Sequence, residues 1–423
     1  MRLKFDPFAF EYLEIDGVPV FYKKLPWCPT IHTRIILKIG AVDDPVDKEG
    51  LTHFLEHMPF EGCRIFPNRE LVRKFTEKFT LDSFGAYTGH SETAFRFRTN
   101  EDNFLGVMTG IKNVIFHPLL EPSTVAGERK VIINEAWEKL GNHSVIELRK
   151  RTRKDLFLDH PSSKFDRPLG WPDTIAQITD EDISAWHKQW YHRNNLALVF
   201  VGNLNTGLVR EAAKSIAINL PCGQKPTCVA TPLCWPAPRS SGFTIETRKL
   251  YGATAKISEQ ATLQISRVIG KSSDPEILEA ALEMFNRAAT QAIRGKLKAT
   301  YDVDAGAVDS RDHSLVRLET RIPADMVGPT KNVLAEIQSE IADRKLADLF
   351  GQVRQQLIDD EIYSEITGGQ IINAATNQIV HDGTVIDLNS KIERLQKLSH
   401  EEVCSFVEKE FDPSRLYTIT GLP

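Results

Sequence analysis

The sequence contains no apolar run long enough to cross a membrane. A spanning helix takes about 18 or more consecutive apolar residues, whereas the most apolar segment, Leu196 to Val201, has the length of a buried strand. Positive charge is not in excess either, because 52 Lys and Arg residues face 57 Asp and Glu residues, for a net charge of −5. We therefore expect a protein that neither spans a membrane nor binds nucleic acid through bulk positive charge.

Cysteine is sparse, with six residues in 423. Cys222, Cys228 and Cys234 are spaced too widely for the short Cys-x-x-Cys pairs of a zinc site. The first residues, Met1 to Pro7, lack the apolar segment of a secretory signal, and the acids that follow them argue against a transit peptide. Unpaired thiols and a cytoplasmic location are therefore expected.

A proline-rich stretch divides the chain near its midpoint. Residues Pro221 to Gly242 contain five prolines and little helical or strand periodicity, which is typical of a linker. We predict a first domain over residues 1–220, a linker over 221–240 and a second domain over 241–423.

The two halves share two sequence patterns. The capping box Thr179–Asp182 has a counterpart in Ser399–Glu402, 220 residues later, and a strand-like run follows each of them. The segment Gly85–Thr88 corresponds in the same way to one that begins at Gly306, 221 residues later. The agreement of the two offsets predicts a duplicated unit. Strands and helices do not alternate regularly within it, which favours an α+β fold over a doubly wound sheet.

The segment His53-Phe54-Leu55-Glu56-His57 has the pattern of a metal site. Positions i and i+4 lie on one face of a helix, so the imidazoles of His53 and His57 can bind one ion. Glu56 lies beside them and can take a proton from a water on the metal. Two histidines and a carboxylate form a catalytic zinc set, and His-x-x-Glu-His inverts the common metalloprotease order. A chance pair of helical histidines is the alternative.

The third ligand is expected to be an acid on another helix. Glu128 and Glu135 lie seven residues apart, and seven steps of about 100° bring both to one helix face. One of them could ligate the metal while the other orients a ligating histidine. A solvated acidic helix face has the same pattern, so the residues alone leave the roles open.

The segment Gly50–Gly62, together with the Glu128–Glu135 pair, resembles the active-site helices of the pitrilysin/insulinase family of zinc peptidases, the inverzincins. Mitochondrial processing peptidases belong to this group. The resemblance implies that residues 1–220 form the catalytic domain. It also implies one Zn²⁺ per chain, held by His53, His57 and Glu135, with Glu56 as general base and Glu128 as accessory acid.

The resemblance extends over nearly the whole chain. Gly85, Ala86, Tyr87 and Thr88 match the edge strand on which the family lays its substrate, with Gly85 where Asn is usual. Arg294 and Tyr301, seven residues apart, resemble the pair that reaches the substrate opposite the zinc. The implied fold is α+β. Two homologous units, each a mostly antiparallel sheet with helices packed on one side, form half of a clamshell.

The function implied is that of a zinc-dependent endopeptidase that hydrolyses extended or unfolded peptides inside a closed chamber. Four such units enclose the chamber in the family, so a second half is expected, in a homodimer or in a heterodimer with a related subunit. The main alternative is a non-catalytic structural or partner subunit. A regulatory protein that binds zinc without hydrolysis is a further one, but it would have no use for a base at Glu56.

Overall fold

A computed structural model of the chain describes residues 3, 5–82, 84–223, 235–251, 260–271, 274–297, 303–364 and 366–423. These residues form two β-sheets built mainly of antiparallel strands and flanked by helices. The predicted α+β class is therefore confirmed.

The first sheet has six strands: β1 (Glu11–Ile15), β2 (Val18–Lys24), β3 (Ile31–Leu37), β4 (Gly85–Thr88), β5 (Thr93–Thr99) and β6 (Leu196–Gly202). Their spatial order is β1-β2-β6-β3-β5-β4. The strands β2 and β6 run parallel, and all other neighbours are antiparallel. The predicted substrate strand, β4, thus lies at an edge of the sheet.

The described residues of the first half form eight helices: α1 (Leu51–Glu61), α2 (Arg69–Phe79), α3 (Glu101–Phe116), α4 (Pro122–Leu140), α5 (His143–Phe157), α6 (Pro172–Ile175), α7 (Asp180–Trp190) and α8 (Thr206–Ala217). Apolar residues of α1, α3, α4, α7 and α8 bury one face of the sheet. The predicted capping box forms at the start of α7, where Thr179 and Asp182 exchange hydrogen bonds between side chain and backbone.

The second sheet has five strands: β7 (Gly242–Glu246), β8 (Ala261–Gly270), β9 (Val303–Asp309), β10 (His313–Ile322) and β11 (Tyr417–Leu422). Their order is β7-β11-β8-β10-β9, with β7 and β11 parallel and the other described neighbours antiparallel. This order repeats β2-β6-β3-β5-β4 of the first sheet, which confirms the predicted duplication.

The described helices of the second half are α9 (Thr247–Tyr251), α10 (Pro275–Ala292), α11 (Val327–Ala342), α12 (Ala347–Tyr363), α13 (Gly368–Asp382), α14 (Leu388–Lys397) and α15 (His400–Glu410). The helices α10, α11, α12 and α15 pack on one face of the second sheet. A capping box also opens α15, from Ser399 to Glu402.

Each half also contributes a helix to the opposite face of the other half's sheet. Ile371 and Ile372 of α13 pack on the first sheet, and Phe157 of α5 packs on the second. Trp235, from the predicted linker, is buried beside Phe157 and donates a hydrogen bond to the carbonyl oxygen of Leu156 at 3.3 Å. This end of the proline-rich stretch is therefore packed, and residues 224–234 lie outside the described part.

Within the described ranges, no helix combines the length and the apolar character that crossing a bilayer takes.

Candidate metal centre

The start of α1 is anchored by a buried carboxylate. Gly50 adopts a left-handed backbone conformation with φ 101°, and Asp44 accepts hydrogen bonds from the backbone N–H groups of Gly50 at 2.8 Å and Thr52 at 2.9 Å. The Thr52 hydroxyl donates to Asp44 and accepts from the indole of Trp186. These bonds satisfy N–H groups that a helix leaves open at its first turn. The helix that carries the His pair is thus held at its N-terminus.

The two histidines of α1 lie one turn apart, with their Nε2 atoms separated by 3.3 Å. His53 is 7 % exposed, and burial, with a smaller contribution from His57, lowers its pKa to about 3. The His53 imidazole is therefore neutral at pH 7, as a metal ligand must be.

The helix α4 places two acids on opposite sides of His57. The Glu135 Oε2 atom lies 3.7 Å from His57 Nε2 and 3.9 Å from His53 Nε2. The Glu128 Oε1 atom lies 2.8 Å from His57 Nδ1. Burial lowers the pKa of His57, but the bond to Glu128 and the neighbouring carboxylates outweigh it, so the pKa is raised overall. Glu135 therefore faces the Nε2 pair, whereas Glu128 faces the other nitrogen of His57.

Arg69 of α2 also contacts this cluster, through Glu128, although it was not among the predicted site residues. Its guanidinium donates to Glu128 Oε2 at 2.8 Å and to Glu61 Oε1 at 2.6 Å. Burial would raise the pKa of Glu128, but the contacts with His57 and Arg69 lower it overall. No spacing or motif marks Arg69 in the sequence, because its partner Glu128 is 59 positions away.

Glu56 is buried beside the histidines. Burial raises its pKa, although His57 and a hydrogen bond from Thr88 act in the opposite direction. The Thr88 hydroxyl donates to Glu56 Oε2 at 3.0 Å. Because Thr88 ends β4, this bond connects Glu56 to the edge strand of the sheet.

The four residues of β4 alternate between the two faces of the sheet. Ala86 packs with the core on the α1 side, where Thr88 also points. Tyr87 packs with the core on the α13 side, and Gly85 shares that face by the period of two. The strand pairs with β5 on one side only.

One predicted residue of the described chain, Arg294, is not part of this cluster. Arg294 belongs to the short π-helix Ile293–Leu297 that follows α10, beside a groove lined by Arg287, Thr290 and Asp304. The cluster itself is built from α1, α2, α4 and β4 of the first half. Tyr301 lies outside the described residues. The helix α10 takes the place of α1 in the second unit and contains no histidine.

Comparisons with known proteins agree with these observations. The family description "Insulinase (Peptidase family M16)" matches residues 20–156, which include all the residues of the cluster. A second description, "Peptidase M16 inactive domain", matches residues 177–356. An uncharacterized zinc protease of Rickettsia felis is 25% identical over 210 residues, which are 50% of this chain and 50% of that protein. The chain thus aligns with about half the length of this relative.

Solved structures match over almost the whole chain. A protease from Helicobacter pylori covers 98% of this chain and 100% of its own, with a TM-score of 0.81 and 16% identity. The periplasmic protease PqqL from Escherichia coli has a TM-score of 0.79 and 16% identity, covering 98% of this chain and 47% of its own. At these identities the structures establish the fold. Together with the two family matches, they show that the chain belongs to the insulinase (M16) family of peptidases.

Proposed function

We propose that this protein is a zinc-dependent endopeptidase that hydrolyses extended or unfolded peptides. The observation that carries the proposal is the convergence of His53, His57 and Glu135 donor atoms with Glu56 beside them. The second unit, without a histidine pair on α10, is proposed to complete the substrate chamber.

The donor set suits zinc. In a tetrahedral site with bonds of about 2.0–2.1 Å, neighbouring donor atoms lie roughly 3.3 Å apart. The three separations here are 3.3, 3.7 and 3.9 Å, so small side-chain movements would bring all three atoms to one ion. Zinc bound there would act as a Lewis acid and make water a better nucleophile at neutral pH.

Glu56 is proposed as the general base. Its raised pKa moves the carboxylate towards the range that is effective for proton transfer near neutral pH. The bond from Thr88 holds Oε2, so Oε1 can accept a proton from the attacking water and return it to the leaving amine. The same bond holds the Glu56 carboxylate next to β4, where the substrate is proposed to bind.

The substrate is proposed to pair with β4 as an added strand. The outer edge of Gly85–Thr88 offers backbone N–H and C=O groups to an extended peptide. Strand addition uses the main chain of the substrate, which favours unfolded segments over folded domains.

Three further residues have supporting roles in the proposal. Glu128 keeps the His57 ring oriented through Nδ1. Arg294 and Tyr301 are proposed to donate to the carbonyl oxygen of the substrate as it becomes negatively charged. This assignment of Arg294 and Tyr301 rests on the family resemblance.

The chain is proposed to act as one half of a chamber, with a second half from another copy or a related subunit. PqqL supports this, because this chain matches 47% of that protein's length. A cytoplasmic location is proposed as well, since Cys28, Cys63, Cys222 and Cys404 form no disulfide within the described residues, which is typical of a reducing compartment.

A quenched-fluorescent peptide library tests the catalytic proposal. The wild-type chain is expected to cleave library members, a chelator to abolish cleavage, and added zinc to restore it. Glu56→Gln is expected to lose at least about 100-fold in kcat/KM while metal analysis still finds one zinc per chain. Glu77→Gln, on the exposed side of α2 where Glu77 pairs with Arg73, is the control and should behave as wild type.

Cleavage that persists in Glu56→Gln or in the chelator would contradict the proposed mechanism. A chain that binds zinc but cleaves no peptide would instead identify a non-catalytic partner subunit.

A further inference from the structure

We propose that Arg96 makes this site selective for peptides that carry an acidic side chain at the position opposite Gly85. The inference rests on the proposed function in one respect, namely that the substrate pairs with β4. The inference adds a class of substrate, which the candidate metal ligands His53, His57 and Glu135 do not specify.

The side chain of Arg96 lies across the edge strand. Gly85 of β4 pairs with Arg96 of β5, and Gly85 has no side chain to occupy the space above it. A Cβ atom at position 85 would lie 3.3 Å from Arg96 Nε and 3.9 Å from Arg96 Nη2. The guanidinium therefore lies over Gly85 and extends towards the open edge of the sheet, where the substrate strand would be added.

Within the described residues, no acidic group forms an ion pair with Arg96. Arg96 is exposed and has neither a hydrogen-bond nor an ion-pair partner within the described ranges. Its neighbour on β3, Arg34, is 7 % exposed and bonds to two neutral acceptors, the carbonyl oxygen of Thr33 at 3.1 Å and the side-chain oxygen of Asn373 at 2.6 Å. Burial lowers the pKa of Arg34 to about 10, and the charge of Arg96 acts in the same direction.

Two guanidinium groups on adjacent strands repel each other, and a carboxylate next to Gly85 would relieve that repulsion. A glutamate or aspartate of the substrate could form charge-assisted hydrogen bonds with the Arg96 guanidinium. A lysine or arginine at the same place would add a third positive charge.

Strand pairing limits the preference for an acidic residue to the one substrate position that lies opposite Gly85. Successive residues of an added strand point to opposite faces of the sheet, so only every second substrate residue faces Arg96. Gly85 lies three positions before Thr88, which corresponds to about 10 Å along a strand. The acidic residue is therefore expected about three residues from the one opposite Thr88, and moving it by one place turns it to the other face.

Arg98 provides a matched control. It lies on β5, two positions after Arg96 and on the same face. Its guanidinium is already paired with Asp82 at 2.8 Å. Arg98→Gln removes the same charge from the same strand, and it should leave the selectivity intact.

The test uses the full chain and two sets of otherwise neutral peptides, in which a single Glu or a single Lys is moved along the sequence. Binding is measured by fluorescence anisotropy with Glu56→Gln protein, and kcat/KM is measured with the wild type. One Glu position is expected to improve both by about three- to fivefold over the neutral parent, as for a partly exposed ion pair. High salt should reduce this ratio.

The ratio of the best Glu peptide to the neutral parent, in affinity and in kcat/KM, is expected to fall to one in Arg96→Gln and to persist in Arg98→Gln. In Arg96→Glu the preference should reverse, so that a Lys peptide is favoured instead. A ratio that survives in Arg96→Gln, or that is the same at every Glu position, would overturn the inference. If no peptide is cleaved, the proposed function fails, and the anisotropy ratio still decides whether Arg96 selects acidic peptides.

Discussion

His57 is the residue on which the geometry of the candidate site depends most. Its Nε2 atom faces His53 and Glu135, while its Nδ1 atom is bonded to Glu128, which in turn is held by Arg69. Partners of this kind fix the orientation of a ligating imidazole and raise its basicity. We therefore expect α2 to affect metal binding through Arg69.

Replacement of Arg69 is predicted to weaken metal binding. Arg69→Gln releases Glu128 and lets the His57 ring turn, so zinc affinity should fall by about tenfold, measured by competition with a chromogenic chelator. Arg73→Gln is the control, because Arg73 pairs with Glu77 on the exposed face of the same helix. Equal affinities for the two variants would mean that Arg69 is only a surface contact of Glu128.

Two helices, α5 and α13, each pack on the sheet of the other half of the chain. The helix α13 covers the first sheet and α5 covers the second, so each sheet is buried on both faces. A sheet face without such cover would expose a row of apolar residues to water. The stability of each unit is thus expected to depend on a helix from the other.

Truncation of an α13 side chain is predicted to destabilise the chain. Ile372 is fully buried against the first sheet, and Ile372→Ala should lower the free energy of unfolding by about 2–5 kcal/mol, measured by urea denaturation. Ile218→Ala, at a side chain that is 56% exposed, should change it by less than about 0.5 kcal/mol. A loss below about 1 kcal/mol in Ile372→Ala would show that α13 packs loosely on the sheet.

For the molecule as a whole, a buried histidine cluster joins equivalent turns of the two sheets. His160 and His313 both bond to Asp312, at 2.9 and 2.7 Å. His90, in the turn between β4 and β5, bonds to Ser310 near the corresponding turn of the second sheet. Both carboxylate oxygens of Asp312 are thus bonded to imidazoles, and the cluster serves as a junction between the halves.

Acid is predicted to weaken this junction. Burial lowers the pKa of His313, although the bond to Asp312 acts against it, so the folded chain protonates His313 at a lower pH than the unfolded chain does. The unfolded chain takes up that proton near the ordinary pKa of about 6.5. The stabilisation is therefore complete above about pH 6.5 and is lost as the pH falls below it, by at most about 1.4 kcal/mol per pH unit for one histidine.

Urea denaturation between pH 7 and pH 5 measures this dependence. His313→Asn can still donate a hydrogen bond to Asp312 but does not titrate, so its stability should fall less steeply with acid than that of the wild type. His143→Asn, at an exposed position, should keep the wild-type slope. Identical slopes for all three proteins would assign the acid sensitivity to other groups.

Local spacing was sufficient to predict much of the fold and of the candidate site. One helical turn separates His53 from His57, two turns separate Glu128 from Glu135, and the capping boxes span four residues each. Patterns of this length depend on backbone periodicity alone. The duplication could also be predicted from the sequence, because the same local patterns recur at nearly the same offset.

Local patterns were thus enough to put the His pair on one helix and the two acids on another, whereas the edge position of β4 was expected only from the family resemblance. Folding of the chain settles a point that the residues alone left open, since Glu135 and not Glu128 faces the Nε2 atoms. It also brings Thr88 to Glu56 and Arg34 to α13. The last two contacts join residues 32 and 339 positions apart. Such pairs have no common local period, because packing of distant elements, and not backbone geometry, brings them together.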